Sequence, residues 1–153
     1  MSPYIPVKLQ KQIRSQFKNR CAYCQTAEAL IAITFEIEHA IPRSLGGSST
    51  IENLCLSCPH CNRHKASRHS FPDPETQDLV QLFHPQQQNW TDHFAWSSDV
   101  STLIGLTPTG RATIVALTMN RPALTHLRKL WHRVGAHPPS DSIAQPTSLQ
   151  NTD

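Results

Sequence analysis

The chain has 153 residues, which suits one compact domain carrying an appendage or a tail. Its 38% hydrophobic and 16% charged residues allow a modest core, and no stretch approaches the roughly 18 continuous apolar residues of a membrane helix. A net charge of +3 permits a polyanionic partner without requiring one.

The opening MSPYIPVKLQKQIR lacks the apolar run of a secretory signal, so the chain reads as soluble and cytoplasmic. Val7, Leu9, Ile13 and Phe17 form a rough helical stripe, predicting a helix over Val7 to Lys18. Lys8, Lys11, Arg14, Lys18 and Arg20 crowd this stretch, as Arg63, Lys65 and Arg68 crowd the segment after the last cysteine pair. On composition alone these clusters are solvated helix faces, and their place on either side of the cysteines gives them interest. A turn bearing Cys21 and Cys24 follows the helix. From Ala29 to Ile41, Ile33, Phe35 and Ile37 alternate with Thr34, Glu36 and Glu38, a period of two that predicts a strand. Pro42 ends it, and residues 44–50 form a loop around Gly46-Gly47. Ile51 to Leu56 reads as a second extended segment, and the polar, basic run from Cys61 to Ser67 as a helix.

The second half changes character. Phe71 to Asn89 is rich in Pro and Gln and predicts a surface loop, with a helical turn at Asp78 to Phe83. Phe94 to Trp96 and Thr102 to Leu106 predict a hairpin. Thr107-Pro108 supplies a capping hydroxyl and a first-turn proline, a helix start that Asn120-Arg121-Pro122 repeats. The second of these helices carries Leu124, Leu127, Leu130 and Trp131 before Gly135 stops it. From His137 onward the Pro/Ser/Thr/Gln-rich sequence predicts disorder.

Five cysteines in a cytosolic chain argue against a disulfide framework. Four of them fall into the CxxC pairs Cys21/Cys24 and Cys58/Cys61, the arrangement by which two knuckles present four thiolates to a structural zinc ion. Cys55 stands outside the pairs and reads as a small buried hydrophobe.

Between and within the pairs lie Glu38-His39, Pro42, Gly46-Gly47, Asn53-Leu54 and Cys58-Pro59-His60-Cys61-Asn62-Arg63-His64-Lys65. This ordered set, from about Arg20 to Arg68, resembles the HNH endonucleases, in the branch whose motif is laced into a four-cysteine zinc site. Asp92-His93-Phe94 and the run from Gly105 to Thr113 also look like the trailing region of small stand-alone bacterial members. The resemblance implies an α+β fold: a ββα-metal (His-Me finger) core over residues 1–70 with its zinc knuckles, then a C-terminal extension of hairpin and helices over 71–136 packed on it. Residues 137–153 would be a disordered tail.

The resemblance further implies metal-dependent hydrolysis of DNA phosphodiester bonds. His39 would be the general base, since a neutral imidazole accepts a proton at cellular pH. Glu38 and Asn62 would hold a single catalytic Mg²⁺ or Mn²⁺ through hard oxygens, and Asn53 would orient His39 and keep the two strands in register. Arg43, Arg63, Lys65 and Arg68 would touch neighbouring phosphates, contacts that carry little sequence information. The chain departs from the common pattern twice, with Glu38 where Asp is usual and Asn62 where the last residue is often His. That makes it an H-N-N variant, with His64 a minor candidate ligand; His93 and Arg111 are expected to be structural. A double-strand cutter with one site usually acts as a pair, so a homodimer is compatible with the motif. The rival readings are a non-catalytic four-cysteine zinc ribbon that binds nucleic acid, an RNA-cleaving nuclease and a thiol–disulfide protein. A ribbon has no use for Glu38-His39, Asn53 and Asn62 at these places.

Overall fold

The computed structural model describes residues 4–142. Helix α1 (Val7–Gln16) turns Ile13 fully inward, while Lys8 and Lys11 ride the outer side. It ends where Lys18 and Asn19 take positive φ angles of 55° each, which reverses the chain into the first cysteine turn. An isolated bridge between Arg20 and Ala27 closes that turn.

Strands β1 (Glu36–His39) and β2 (Leu54–Ser57) pair antiparallel, with Glu36 opposite Ser57, Ile37 opposite Leu56, Glu38 opposite Cys55 and His39 opposite Leu54. The extended run expected from Ala29 is thus cut to four residues. Glu28–Leu30 instead winds into a 3₁₀ turn, and β2 ends at Ser57, because Cys58 is the cap of the next helix. Arg14 holds the displaced segment by donating to Glu28 Oε1 at 2.8 Å and to the Phe35 carbonyl at 2.9 Å. Likewise Ile51–Asn53 is 3₁₀, not extended, so the second strand starts at Leu54. Helix α2 (Pro59–Lys65) starts two residues earlier than its charge run suggests, because Pro59 fits the first helical position and the Cys58 sulfur accepts from the Cys61 N–H. The core order is strand, loop, strand, helix, the ββα arrangement.

The stretch after α2 is not a surface loop. Strands β3 (Ser70–Pro72) and β4 (Leu79–Gln81) form a hairpin. Its turn is built by Asp73, whose carboxylate accepts from the Glu75 N–H at 3.1 Å and the Thr76 hydroxyl at 3.0 Å. A short helical turn, α3 (Trp90–His93), leads into the β5 (Phe94–Trp96) and β6 (Leu103–Gly105) hairpin. Helix α4 (Pro108–Ala116) is capped by the Thr107 hydroxyl, which accepts from the Gly110 N–H. Helix α5 (Pro122–Arg133) turns Leu124 and Trp131 inward but leaves Leu130 41% exposed. None of the described helices is long and apolar enough to cross a membrane.

One hydrophobic cluster joins the two halves, with Ile13, Phe35, Leu54 and Leu56 in contact with a group that includes Phe83, Phe94, Met119, Leu124 and Trp131. Polar ties reinforce it: the Trp90 indole N–H donates to the Tyr23 carbonyl at 2.8 Å, and Gln86 donates to the Leu54 carbonyl at 2.8 Å. Residues 137–142, assigned to the tail on composition, are held on the body. His137 Nε2 sits 2.7 Å from the Val100 carbonyl, and Asp141 pairs with Lys18 and Arg20 at 2.6 Å each. The remaining residues of the expected tail lie outside the described residues.

Arg111 of α4 locks the β3–β4 turn, with Nε 2.9 Å and Nη2 2.8 Å from the two oxygens of Asp73. The Arg111 guanidinium holds Asp73 well below the usual carboxylate range. A depressed acid contributes stability above its unfolded value, about 3.9, and loses it as the pH falls through the folded value. The thermal midpoint of the parent should therefore fall on acidification below about pH 4, whereas Asp73→Asn should start lower and show a flatter acid limb. Parallel melting-versus-pH curves would count against the pairing.

Candidate active site and metal centre

The cysteine turn and the end of the hairpin place Cys21, Cys24, Cys58 and Cys61 around one point. All four are buried, and their sulfurs lie within 4.8 Å of one another. A tetrahedral zinc with ~2.3 Å bonds spaces its sulfurs by ~3.8 Å, and Cys24 Sγ stands 3.9 Å from Cys58 Sγ. The Cys61 N–H donates to the Cys58 sulfur at 3.3 Å, and the Thr26 hydroxyl lies 3.2 Å from the Cys24 sulfur. Such contacts suit thiolates. Burial pushes the Cys21 thiol well up, so four sulfurs collected in a dry site call for a cation to hold them ionised. The donor set fits zinc. Cys55 stays apart, fully buried, with its sulfur 3.7 Å from the Tyr23 hydroxyl and its thiol pushed up by burial.

A cleft of about 530 Å³ is lined by Ile5, Ile37, Glu38, His39, Arg43 and Asn62 among others. His39 ends β1, where the chain leaves the hairpin for the loop. Its Nε2 lies 2.9 Å from the Ser49 hydroxyl. Burial first, then the positive Arg43 and Lys65, hold the imidazole below its ordinary pKa. The ring is therefore kept neutral at neutral pH.

The Asn53 side chain makes its hydrogen bonds to the backbone beyond His39. Its Oδ1 accepts from the Ile41 N–H at 2.8 Å, and its Nδ2 donates to the Ile41 and Ser48 carbonyls at 2.9 Å each. The backbone of the same residue accepts from the Ala40 N–H at 2.8 Å. One amide thus ties the loop shut directly after His39. Gly47 allows this closure, since a Cβ there would lie 1.8 Å from the Ile41 carbonyl oxygen. Gly46 supplies the left-handed turn with φ 89°.

Glu38 and Lys65 form a pair that the sequence does not disclose. Lys65 was expected at the phosphate surface, yet its side chain is 1% exposed, because the last turn of α2 points it under β1. Its Nζ lies 3.3 Å from Glu38 Oε1 and 3.3 Å from the His39 carbonyl. Burial pushes Glu38 up to about 7 against the opposing pull of Lys65. Oε1 is at ion-pair distance but has no partner in hydrogen-bonding direction. A buried carboxylate oxygen left in this way at the wall of a cleft suits a hard cation, as does the neighbouring amide of Asn62. Breaking a buried pair by removing one partner costs about 3–5 kcal/mol. Lys65→Met should be destabilised on that scale in urea titrations, and adding Glu38→Gln should recover part of the loss. An unchanged midpoint in Lys65→Met would contradict the pairing.

The remaining candidates divide. Arg43 and Arg63 are exposed, Arg43 on the cleft wall. Arg68 is exposed, but its guanidinium donates to the His64 and Ala116 carbonyls and lies 5.1 Å from the centre of the Phe71 ring. It ties α2 to the second half. His64 turns away from the cleft: its ring stacks on His60 at 4.0 Å, and His60 in turn meets the Thr118 hydroxyl at 2.6 Å. His93 Nδ1 meets the Thr107 hydroxyl at 2.6 Å and Arg111 binds Asp73, so both are structural. The residue that sequence reasoning passed over is Glu36, an exposed carboxylate whose Oε2 accepts from Asn62 Nδ2. Its position two residues before Glu38 was the only available signal.

In the comparison with known protein families, the model described as HNH endonuclease matches residues 21–68, from the first cysteine of the cluster to the end of the basic run. No curated protein and no solved structure matches the chain.

Proposed function

From the premise that residues 21–68 form an HNH domain, we propose that the chain is a metal-dependent endonuclease that hydrolyses DNA phosphodiester bonds. The observation that carries this reading is that Glu38, His39, Arg43 and Asn62, from β1, the loop and α2, line one open cleft. A zinc ribbon that only binds nucleic acid needs no such convergence.

His39 is the general base. In the tautomer whose Nε2–H donates to the Ser49 hydroxyl, Nδ1 is the ring nitrogen left to take a proton from the attacking water. Glu38 and Asn62 would hold a single Mg²⁺ or Mn²⁺, which would supply neutralisation of the charge growing on the phosphate. Asn53 fixes the loop that follows the base, and Lys65 braces Glu38 and the His39 backbone from beneath. Arg43 and Arg63 hold adjacent phosphates, a sequence-independent grip that gives low specificity. Zinc keeps the β2–α2 junction, and so Asn62, in place against β1.

The groups on this cleft read phosphate, not the sugar, so substrate class is decided by experiment. Plasmid DNA and a structured RNA are digested side by side with Mg²⁺ or Mn²⁺. DNA is expected to be cut and the RNA spared. Cutting of RNA alone would overturn the DNA assignment.

A further inference from the structure

We propose that Glu36 is a third oxygen ligand of the divalent ion held by Glu38 and Asn62, an inference that rests on the metal-dependent reading of the cleft. Strand periodicity places residues 36 and 38 of β1 on the same face. Asn62 joins them: it lines the cleft with Glu38 and donates from Nδ2 to Glu36 Oε2. Glu36 itself lines the groove that continues past Ile5 and Ile37, residues shared by groove and cleft. The second, independent sign of a ligand is Glu38, a cleft-lining residue 5% exposed, whose Oε1 has the Lys65 ammonium at 3.3 Å but no hydrogen-bonding partner.

Charge explains why a third ligand is needed. Asn62 is neutral, and the Lys65 ammonium 3.3 Å from Glu38 offsets much of that carboxylate's charge. Such a pair alone offers little to a hard dication, which favours carboxylate oxygens. Glu36 is exposed and adds an unbraced negative charge beside the amide. In the metal-free chain its hydrogen bond to Asn62 keeps the two ligands together.

The test measures Mn²⁺ binding by the zinc-loaded full chain, by calorimetry and by the electron paramagnetic resonance signal of free Mn²⁺. Parent, Glu36→Gln and Glu38→Gln are compared. Gln keeps the size of Glu and still accepts from Asn62, so folding is preserved; zinc content and melting point check this. Glu36→Asp serves as a second variant and is expected to fall between Gln and the parent. Glu36→Gln should weaken Mn²⁺ binding about tenfold or more, with plasmid cutting regained at higher Mn²⁺. If Glu36→Gln binds Mn²⁺ like the parent while Glu38→Gln has lost it, Glu36 only partners Asn62 and the inference is overturned. If the folded, zinc-loaded parent neither binds Mn²⁺ nor cuts, the metal-dependent reading of the cleft fails and takes this inference with it.

Discussion

Stripping the zinc should unfold the chain. Structural zinc sites in small zinc-finger peptides contribute about 10–16 kcal/mol at neutral pH, as much as or more than the roughly 5–15 kcal/mol by which whole domains are stable. Here the four sulfurs are buried in the same cluster as Ile13, Leu54 and Leu56, so an ion held by them would be part of the core. Without it, four buried sulfurs remain with no cation between them, and the turn at 21–24 has nothing to hold it to the start of α2. An excess of chelator should abolish the cooperative melting transition expected at about one zinc per chain, and Cys58→Ser should behave the same way. Cys58 also caps α2, a role the serine hydroxyl can keep, so Cys58→Ser isolates the loss of the metal ligand. Cys55→Ser, by contrast, should keep its zinc. A metal-free chain that melts at the temperature of the zinc-loaded form would remove the cluster from the argument.

The second large effect belongs to His39. General-base catalysis contributes about 10²–10⁴ in rate, and His39→Ala should lose that much while retaining zinc and melting temperature. The ring makes one polar contact, to Ser49, and is only half-buried, so its removal leaves the hairpin intact. Ser49→Ala, which frees the ring without deleting it, should lose less. A His39→Ala protein that cuts at the parent rate would show that the base lies elsewhere.

These two effects rest on features that are local in sequence, and those were the legible ones. CxxC spacing fixes which sulfurs converge, because each pair sits in one turn. Thr107-Pro108 marks the start of α4 because the cap and the first-turn proline are adjacent. Gly46-Gly47 marks the tight loop because one residue needs a positive φ and the other lies against the Ile41 carbonyl. What escaped depends on partners distant in sequence. Lys65 reads as a surface cation until β1 is laid over α2 and Glu38 meets its ammonium. The β3–β4 hairpin has strands of three residues, too short for a period of two to register, and its proline-bearing turn is fixed by Arg111 from another helix. Asn53 stood out as part of the motif, but its action, on the Ile41 and Ser48 backbone and not on the imidazole, follows from the loop's path. Glu36 gained meaning only when Asn62 came to face it.

The central claim is that this cleft breaks phosphodiester bonds with a divalent ion. Its most direct test is incubation of supercoiled plasmid with folded, zinc-loaded protein, with and without added Mg²⁺ or Mn²⁺. The expected result is conversion to open-circular or linear DNA only when the divalent ion is present. Plasmid that stays supercoiled with the ion present, while the protein keeps its zinc and its fold, would contradict the claim.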